Sequence, residues 1–504
     1  MPVAPRLALT LITCLAGMPA LCAQGATAPG SMPVDEAAAA EARLENARAA
    51  VARYRDDVQR ILVEAVSNGE AYSKLVDLCT TAPHRLSGSP GAAAAVEWSR
   101  QAMLADGLEN VRLQPVEVPH WERGTTCRVT VTAPARYAGT DLTALALGGS
   151  IATPEHGVTA KVMEVQTFDE LGQRGAEALG AIVFFNRPMD ATLYDTFAAY
   201  GGAVGQRTRG ATEAGRVGGV AALVRSVTTR RDDFPHTGGM RYAEDVARVP
   251  TAAISTLDSE VLSSMIRDAN AAGEDLLVTF VQDPVWHEPA PSFNVIGEIP
   301  GREAPDQILV VGGHLDGWDV GQGAHDDGSG TCQSLEAARL LLALDLRPRR
   351  TIRVVHFINE ENGLGGARAY RNEHLHEMPR HVFAMESDRG GFSPEGFTSF
   401  ANPDAMAYLT AIGELMGSAN CGMLKRGGGG ADVSPMAPDG VVTAGLLVDP
   451  ARYFDVHHSE RDTLKQVSDR EVNLGAGAMA AMLWVIAEME ETLPRNEATS
   501  GGSR

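Results

Sequence analysis

The chain has 504 residues, of which 44% are hydrophobic and 21% are charged, and its formal net charge is −21. This length exceeds one ordinary hydrophobic core, so we expect two domains, and the composition is that of a folded globular protein. The acidic balance disfavours nucleic acid and anionic lipid as partners, because both would be repelled. The cysteines are few and scattered, which excludes a disulfide-stapled fold.

The N-terminal residues have the order of a secretory signal peptide. Arg6 precedes an apolar run from Leu7 to Cys22, and small residues follow. The alternative, a retained membrane anchor, fits less well because the run is shorter than a span of about 20 residues and contains Gly17 and Pro19. We expect residues 1–25 to be a signal peptide and the mature protein to be secreted or periplasmic, with no stable membrane span.

The character of the sequence changes along the chain and predicts a division into segments. An Ala-, Glu- and Arg-rich start has helical spacing, and a later stretch of short β-rich runs and glycine-rich turns resembles a separate module. We therefore expect N-terminal helices and the start of the main domain at 34–125, a β-rich insert at 126–286, the rest of the main domain at 287–492 and a disordered tail at 493–504.

Strands and helices alternate in the C-terminal part of the chain. Apolar runs at 308–312, 351–358 and 382–385 are typical of strands that are buried on both faces, and residues 331–344 and 365–375 have helical spacing. This alternation predicts an α/β fold whose sheet has helices on both sides. Ligands of such folds bind at the carboxyl ends of the strands.

Each of the three predicted strands ends in acidic or histidine residues. His314 and Asp316 follow the first strand, Glu360 and Glu361 the second, and Asp388 the third. Charged groups placed side by side at the mouth of a buried sheet are unfavourable unless they bind a cation. The pattern predicts a metal site at this edge of the sheet.

The first strand end and the loop after it supply further ligand types. His314 and Asp316 point to the same side of an extended chain, so the carboxylate can accept the second imidazole N–H and orient the ring. The glycine-flanked loop GAHDDGSG carries Asp326 and Asp327 directly before a helix. Two ions would need a bridging carboxylate, and this loop can provide it.

The two adjacent glutamates suggest a division of labour. Glu360 and Glu361 point in different directions, so one can coordinate an ion while the other stays free near the bound water and accepts its proton. The segment YFDVHHSERDTL offers a last histidine ligand. His458 is the preferred ligand and His457 its competitor.

These motifs together resemble the co-catalytic dizinc aminopeptidase and glutamate carboxypeptidase family of zinc metallopeptidases. The strings that carry the resemblance are HLDGWDVGQGAHDDGSG from His314, NEENGLGG from Asn359, MESDRGG from Met385 and HHSERDT from His457. The resemblance covers residues 50 to 490 and implies a mixed, largely parallel sheet flanked by helices. The β-rich insert is similar to the protease-associated domain of many relatives.

The resemblance implies that each chain holds two Zn²⁺ ions. His314 and Asp388 would bind one ion, Glu361 and His458 the other, and Asp326 would bridge both. Zinc is the family's metal, although carboxylate-rich dinuclear sites also accept manganese or cobalt. Relatives in this family form homodimers, which implies a homodimer here.

The resemblance also implies catalytic roles for two carboxylates. Glu360 matches the general base of the family, and Asp316 matches the carboxylate that orients a histidine ligand. Arg389, Arg426 and Arg452 are candidates for binding a substrate carboxylate, because guanidinium pairs with carboxylate in a forked geometry.

The expected function is that of a zinc-dependent exopeptidase or dipeptidase that hydrolyses short peptides with a metal-activated water. An aminopeptidase of the same family is the nearest alternative. Two further alternatives belong to other classes: a single-zinc glutaminyl cyclase-like acyltransferase and a non-catalytic binding ectodomain. The complete set of ligands and the paired glutamates weigh against both.

Overall fold

A computed structural model describes residues 34–499 of the chain. The predicted signal peptide lies outside these residues. Within them, no helix combines the length and the apolar character needed to cross a bilayer. Cys79, Cys127, Cys332 and Cys421 are free thiols.

The helices and strands follow one another in an order that confirms the predicted alternation. The helices are α1 (Val34–Val51), α2 (Arg55–Asn68), α3 (Ala71–Thr81), α4 (Pro90–Ala105), α5 (Phe168–Gln173), α6 (Gly175–Ala178), α7 (Thr196–Ala203), α8 (Gly205–Arg216), α9 (Thr256–Ala271), α10 (Ser329–Ala343), α11 (Gly365–Glu373), α12 (Pro403–Leu415) and α13 (Asp469–Glu488). The first strands are β1 (Glu109–Val118), β2 (Trp121–Glu122), β3 (Cys127–Ala133), β4 (Asp141–Leu142), β5 (Ala144–Ala146), β6 (Val158–Val165), β7 (Ile182–Phe185), β8 (Ala221–Arg225) and β9 (Thr251–Ile254). The later strands are β10 (Leu277–Gln282), β11 (Val285–Trp286), β12 (Ala290–Ile299), β13 (Ala304–His314), β14 (Arg350–Phe357), β15 (His381–Glu386), β16 (Pro394–Ser399), β17 (Met423–Arg426) and β18 (Val442–Val448).

The main sheet is mixed, with the order β1-β12-β14-β13-β15-β18-β16-β17. Its centre is parallel, since β13 pairs in parallel with β14 and β15, and β15 with β18. Antiparallel pairs lie towards its edges, at β1 with β12 and β16 with β18. The predicted strands at 308–312, 351–358 and 382–385 are therefore the central parallel strands of this sheet.

Apolar side chains cover both faces of the central strands. Leu309 and Val311 belong to the large core beneath α10 and α13, whereas Ile308 and Val310 belong to a second core on the side of α11. Side chains alternate between faces along a strand, so a continuous apolar run fills both cores. Helices pack on both sides of the sheet, as the alternation predicts.

A second sheet lies between β1 and β12 in the sequence, and its order is β4-β3-β10-β6-β7-β8-β9-β5. We call residues 127–282, which contain it, the inserted unit. Its centre is parallel from β6 to β9, and α5 to α9 lie between its strands in sequence. The unit has more helix than the β-rich prediction, because glycine-rich segments such as α8 form helices when packed. In α8, a Cβ at Gly210 would lie 3.1 Å from the Phe185 ring, so the glycine allows close packing on β7.

A short ribbon connects the main sheet and the inserted unit. β2 pairs antiparallel with β11, where the chain enters and leaves the inserted unit. The segment 284–291 is thus partly ordered as strand.

The end of the chain differs from the predicted disordered tail. Leu493 is 1% exposed, the Asn496 amide donates to the Gly440 carbonyl, and the Thr499 amide donates to the Pro438 carbonyl. The Arg495 guanidinium also donates to the carbonyls of His381 and Asp439. Burial and these hydrogen bonds fix residues 493–499, and residues 500–504 lie outside the described range.

Candidate metal centre

The carboxyl ends of three adjacent parallel strands bring the predicted ligands together. His314 is the last residue of β13, Glu360 and Glu361 follow β14, and Asp388 follows β15. Because β13 lies between β14 and β15, these residues meet at one edge of the sheet. Of the two remaining predicted ligands, His458 reaches the same edge from the loop after β18, and Asp326 comes from the loop after β13.

The loop that carries Asp326 is held in place by buried polar groups. Asp462 accepts the amide N–H groups of His325 at 2.7 Å and Asp326 at 3.1 Å. Arg85, which is 1% exposed, donates to the Gln322 and Gly323 carbonyls, each at 2.6 Å. The peptide bond between Asp326 and Asp327 is cis.

Asp326 lies between two groups of side chains and faces each with a different oxygen. Its Oδ1 is 3.4 Å from His314 Nε2, which is also 3.6 Å from Asp388 Oδ1. Its Oδ2 is 3.1 Å from His458 Nε2, which is also 3.1 Å from Glu361 Oε2. The five predicted ligands therefore form two sets that share one carboxylate.

Several atoms in this cluster are buried and have no hydrogen-bond partner among the described residues. These atoms are His314 Nε2, Asp326 Oδ2 and Glu361 Oε1. Buried polar atoms are nearly always satisfied, so each such atom requires an explanation. Imidazole nitrogen and carboxylate oxygen are ligands of zinc, and the donor set fits bound cations.

The electrostatics of the cluster also favour a cation. Burial opposes ionisation of Asp326, but the imidazoles of His314 and His458 outweigh it and hold the pKa of Asp326 well below its usual range. Burial of Glu360, reinforced by the charges of Asp388 and Glu361, raises the pKa of Glu360 well above its usual range. Closely packed buried carboxylates are stabilised by positive charge, which metal ions supply.

Asp316 acts differently from the prediction based on its spacing. His314 Nδ1 lies 3.0 Å from the Asp316 backbone carbonyl but 3.8 Å from its carboxylate. The carboxylate instead accepts the Glu360 amide at 3.0 Å, the Glu361 amide at 3.3 Å and the Ser87 hydroxyl at 3.0 Å. The backbone carbonyl thus orients the imidazole, and the carboxylate fixes the turn that carries both glutamates.

Two neighbours compete geometrically with the predicted ligands. Asp327, His314 and Asp388 also form a possible ligand group, as do Asp326, His457 and His458. Asp327 already accepts the His314 and Gly330 amides, each at 3.0 Å, so its oxygens are engaged. His457 Nε2 is 3.8 Å from Asp326 Oδ2, farther than His458 Nε2. The hydrogen bonds of Asp327 and the longer distance of His457 favour Asp326 and His458 as the ligands.

The inserted unit contributes residues to the site that the sequence reasoning missed. Arg207 of α8 is buried, and its guanidinium donates to Tyr200 Oη at 2.6 Å and lies 3.4 Å from His458 Nδ1. The Thr237 amide donates to the His458 carbonyl at 2.9 Å, and His236 Nδ1 lies 2.6 Å from the His457 carbonyl. No motif in the insert signals these contacts, because they arise when the two sheets pack together.

A second pair of buried carboxylates lies beneath the cluster. Glu386 Oε2 accepts the Asp432 amide at 2.9 Å and the Val433 amide at 3.2 Å. Burial, together with the charge of Asp388, raises the pKa of Glu386 to about 8. Asp432 belongs to the glycine-rich segment after β17. The run of glycines in the sequence was the signal that this backbone segment could approach other residues closely.

The three arginines suggested as carboxylate clamps do not line the cleft above the cluster. Arg452 pairs with Asp449 at 2.9 Å and Glu471 at 3.2 Å, and Arg426 lies over the Phe400 ring in the edge strand β17. Arg389 lies over the Phe197 ring, 4.4 Å from its centroid. The sequence could not show where these arginine side chains point. Each arginine is close in sequence to a site residue, but the direction of its side chain depends on tertiary packing.

The α/β fold and the clustered histidines and carboxylates define the class of the protein as a metallopeptidase. The model of peptidase family M28 matches residues 294–483. The chain is 38% identical over 449 residues to carboxypeptidase Q of Bos taurus, a match that covers 88% of this chain and 92% of the relative. It is 37% identical to carboxypeptidase Q of Homo sapiens, over 87% of this chain and 91% of the relative.

A solved structure supports the same family. The peptidase M28 precursor of Shewanella amazonensis SB2B superposes with a TM-score of 0.82 at 30% identity, over 88% of this chain and 98% of that chain. A zinc aminopeptidase of Bacillus subtilis shares the fold, with a TM-score of 0.61 at 20% identity, over 85% of this chain and 97% of that chain. The chain belongs to peptidase family M28 and is a zinc-dependent metallopeptidase.

Proposed function

We propose that the protein is an exopeptidase that hydrolyses short peptides, dipeptides among them, with two zinc ions per chain. The position of Asp326 carries the proposal, since its two carboxylate oxygens face two separate imidazoles at 3.4 and 3.1 Å. In this assignment His314 and Asp388 hold one ion, and Glu361 and His458 hold the other. Asp326 is the ligand shared by both.

Glu360 is the proposed general base. It follows β14, directly before the proposed ligand Glu361, and it lines the cleft. Within residues 34–499, its carboxylate makes no ion pair with His314 or His458. Zinc bound by the neighbouring ligands would activate a water molecule and polarise the scissile carbonyl. Glu360 accepts the proton of the attacking water and returns it to the leaving amine as the C–N bond breaks.

The cleft over the cluster supports a short peptide as substrate. Its volume is about 980 Å³, and both the main domain and the inserted unit line it. Arg209, Arg216 and Arg241 of the inserted unit face it, and no ion pair engages them among residues 34–499. Arginines that line the same cleft as the proposed metal ligands suit the carboxylate of a short peptide, which is consistent with the name of the carboxypeptidase Q relatives.

The wider setting of the enzyme is proposed from sequence pattern and family resemblance. The N-terminal signal pattern supports export, so the protein would act outside the cytoplasm. The inserted unit would be a protease-associated domain, since it interrupts the peptidase sheet at the position usual in the family. A homodimer rests on the resemblance alone.

An aminopeptidase remains the second candidate function. The acidic side chains Glu360, Glu361 and Asp388 line the cleft and could bind a free amino group. The Bacillus subtilis protein, named a zinc aminopeptidase, has the same fold. A single-zinc cyclase is less consistent with the geometry, because a second set of ligands around His458 is complete.

Substitution of Glu360 by glutamine tests the proposal. We expect Glu360→Gln to retain two zinc ions per chain and to lose peptide turnover by about 10²- to 10⁴-fold, since general-base catalysis supplies an acceleration of that order. The measurements are zinc content by mass spectrometry and dipeptide hydrolysis. Glu155→Gln, an exposed carboxylate of the inserted unit, serves as the matched control and should retain full turnover.

Two outcomes would contradict the assignment. Normal hydrolysis by Glu360→Gln would show that another group accepts the proton. One zinc ion per chain in the unsubstituted protein would remove the shared role of Asp326.

A further inference from the structure

The ribbon of β2 and β11 carries a cluster of ligand-type side chains outside the catalytic centre. His120 lies directly before β2, Glu122 within it, and His287 directly after β11. Val285 pairs opposite Glu122, and the His287 amide donates to the His120 carbonyl at 2.9 Å. The chain enters the inserted unit after β2 and leaves it at β11. The cluster therefore contains residues from both of the connections between the inserted unit and the main domain.

The three side chains point to one side of the ribbon. His120 and Glu122 are two residues apart in extended chain, so they share a face. His120 Nε2 is 3.5 Å from Glu122 Oε1, and His287 Nε2 is 3.2 Å from Glu122 Oε2. The imidazole rings are stacked with centroids 4.4 Å apart, and one ligand atom from each of the three residues lies within 4.8 Å of the others.

A separate observation indicates that this cluster has an open position for a ligand. His120 Nε2 is buried and makes no hydrogen bond to any described residue, although its side chain is 22% exposed. Within residues 34–499, the ion-pair contacts of Glu122 are to these two histidines and to no lysine or arginine. The adjacent Arg123 turns away and pairs with Asp319. A cation would satisfy the nitrogen and balance the carboxylate.

We propose that His120, Glu122 and His287 form a binding site for a further divalent transition-metal ion. Two imidazole nitrogens and one carboxylate oxygen form a donor set for zinc and for other late first-row divalent ions, with water completing the coordination. The site is independent of the catalytic ligands, which follow strands of the main sheet. It therefore neither requires nor replaces the ions of the proposed catalytic centre.

Occupancy of this site would fasten the inserted unit to the peptidase domain. Trp121 and Trp286 lie between the ligands in the ribbon, and their indole N–H groups donate to the Ser150 carbonyl at 2.9 Å and the Gly149 carbonyl at 3.2 Å. Trp286 and Gly149 also line the catalytic cleft. An ion that joins the two strands would stabilise the ribbon and, through it, this wall of the cleft.

Zinc binding to the full-length protein tests the proposal. The protein is dialysed against micromolar free Zn²⁺, and ions per chain are counted by mass spectrometry for the unsubstituted protein, His287→Asn and Glu122→Gln. We expect both variants to hold one ion per chain fewer than the unsubstituted protein while they retain dipeptide turnover. His376→Asn is the matched control, because His376 is 73% exposed beside Glu377 and belongs to no possible metal-ligand group among residues 34–499.

Thermal unfolding gives an independent reading of the same site. Added Zn²⁺ should raise the melting temperature of the unsubstituted protein more than that of His287→Asn, since an ion that binds the folded state stabilises it. Equal ion counts in the unsubstituted protein and both variants would overturn the proposal. So would a count that falls equally in His376→Asn.

Discussion

His457 and His458 are adjacent candidate ligands that differ in their distances to the proposed metal ligands. Their rings are stacked with centroids 3.5 Å apart, yet His458 Nε2 reaches both Asp326 and Glu361 at 3.1 Å. His458 has a φ of 59°, a left-handed backbone conformation. The sequence motif HHSERDT contains both histidines, and the family resemblance and the distances both favour His458.

We predict that His458→Phe loses one of the catalytic zinc ions and that His457→Phe retains both. Each change replaces an imidazole by an apolar ring at a buried position, so the pair is a matched comparison. Zinc content per chain, measured after dialysis against metal-free buffer, checks the prediction. Loss of the ion from His457→Phe alone would reverse the ligand assignment.

His356 illustrates the opposite case, a histidine whose role is packing. It lies in β14, is fully buried, and its Nδ1 is 2.7 Å from Ser99 Oγ. Burial lowers the pKa of His356 from 6.5 to about 3. The unfolded chain therefore binds the proton more readily than the folded chain between these two values, and stability falls as the pH drops below 6.5.

We predict that the stability advantage of the unsubstituted protein over His356→Gln decreases by about 2 kcal/mol between pH 7 and pH 5, because each pH unit below the unfolded pKa contributes about 1.4 kcal/mol. Denaturant unfolding at both pH values gives the two differences. His156→Gln, at an exposed position of the inserted unit, is the control variant. An advantage that stays constant would mean that His356 binds a proton as readily in the folded chain as in the unfolded chain.

At the scale of elements, the approach of α10 to the strand ends positions the aspartate loop. Gly330 is in the first turn of α10, and a Cβ there would overlap the Ser387 carbonyl oxygen and crowd the Asp327 carboxylate. Thr331 Oγ1 donates to the His314 carbonyl at 2.8 Å. The helix start is therefore packed directly against two of the segments that carry proposed ligands, and the glycine makes this contact possible.

We predict that Gly330→Ala destabilises the protein by about 1–3 kcal/mol, the usual cost of overpacking a core. The change should also weaken zinc retention, because the backbone next to Asp388 must move. Gly172→Ala in α5 is the control, since a Cβ there meets nothing within 4 Å and alanine favours a helix. Chemical denaturation gives the free energy of unfolding of both variants. Equal values would show that the segment around Ser387 moves to accommodate the added methyl group without a loss of stability.

At the scale of the whole molecule, the catalytic cleft belongs to both units. Tyr200, Arg207 and Arg216 of the inserted unit line it opposite Glu360 and Asp388 of the main domain. An insert that covers a catalytic centre limits the size of its substrates, which is consistent with an enzyme for short peptides.

We predict that C-terminal amidation of a dipeptide lowers kcat/KM about ten- to a hundredfold, because charge-assisted hydrogen bonds to the carboxylate contribute about 1.5–3 kcal/mol. N-terminal acetylation of the same dipeptide should lower kcat/KM by a smaller factor. Initial rates on the free, amidated and acetylated forms of one dipeptide provide the comparison. A larger effect of acetylation would favour the aminopeptidase assignment.

The family resemblance implied the full set of proposed ligands. The sequence by itself determined the alternation of buried strands and helices in the central α/β sheet and the acidic and histidine residues at the strand ends. This was possible because buried strands need continuous apolar runs, and because charged residues at strand ends are unfavourable without a cation. These constraints act over a few consecutive residues, so they can be read directly from the chain.

The tertiary structure alone decided which contacts complete the site. It assigned the Asp316 carboxylate to the Glu360 turn, directed Arg452 to a salt bridge, and brought Arg207 to His458 across more than two hundred residues of sequence. It also ordered residues 493–499 against the main domain. These outcomes depend on the packing of distant segments and on the direction of individual side chains, and no local pattern in the sequence specifies either.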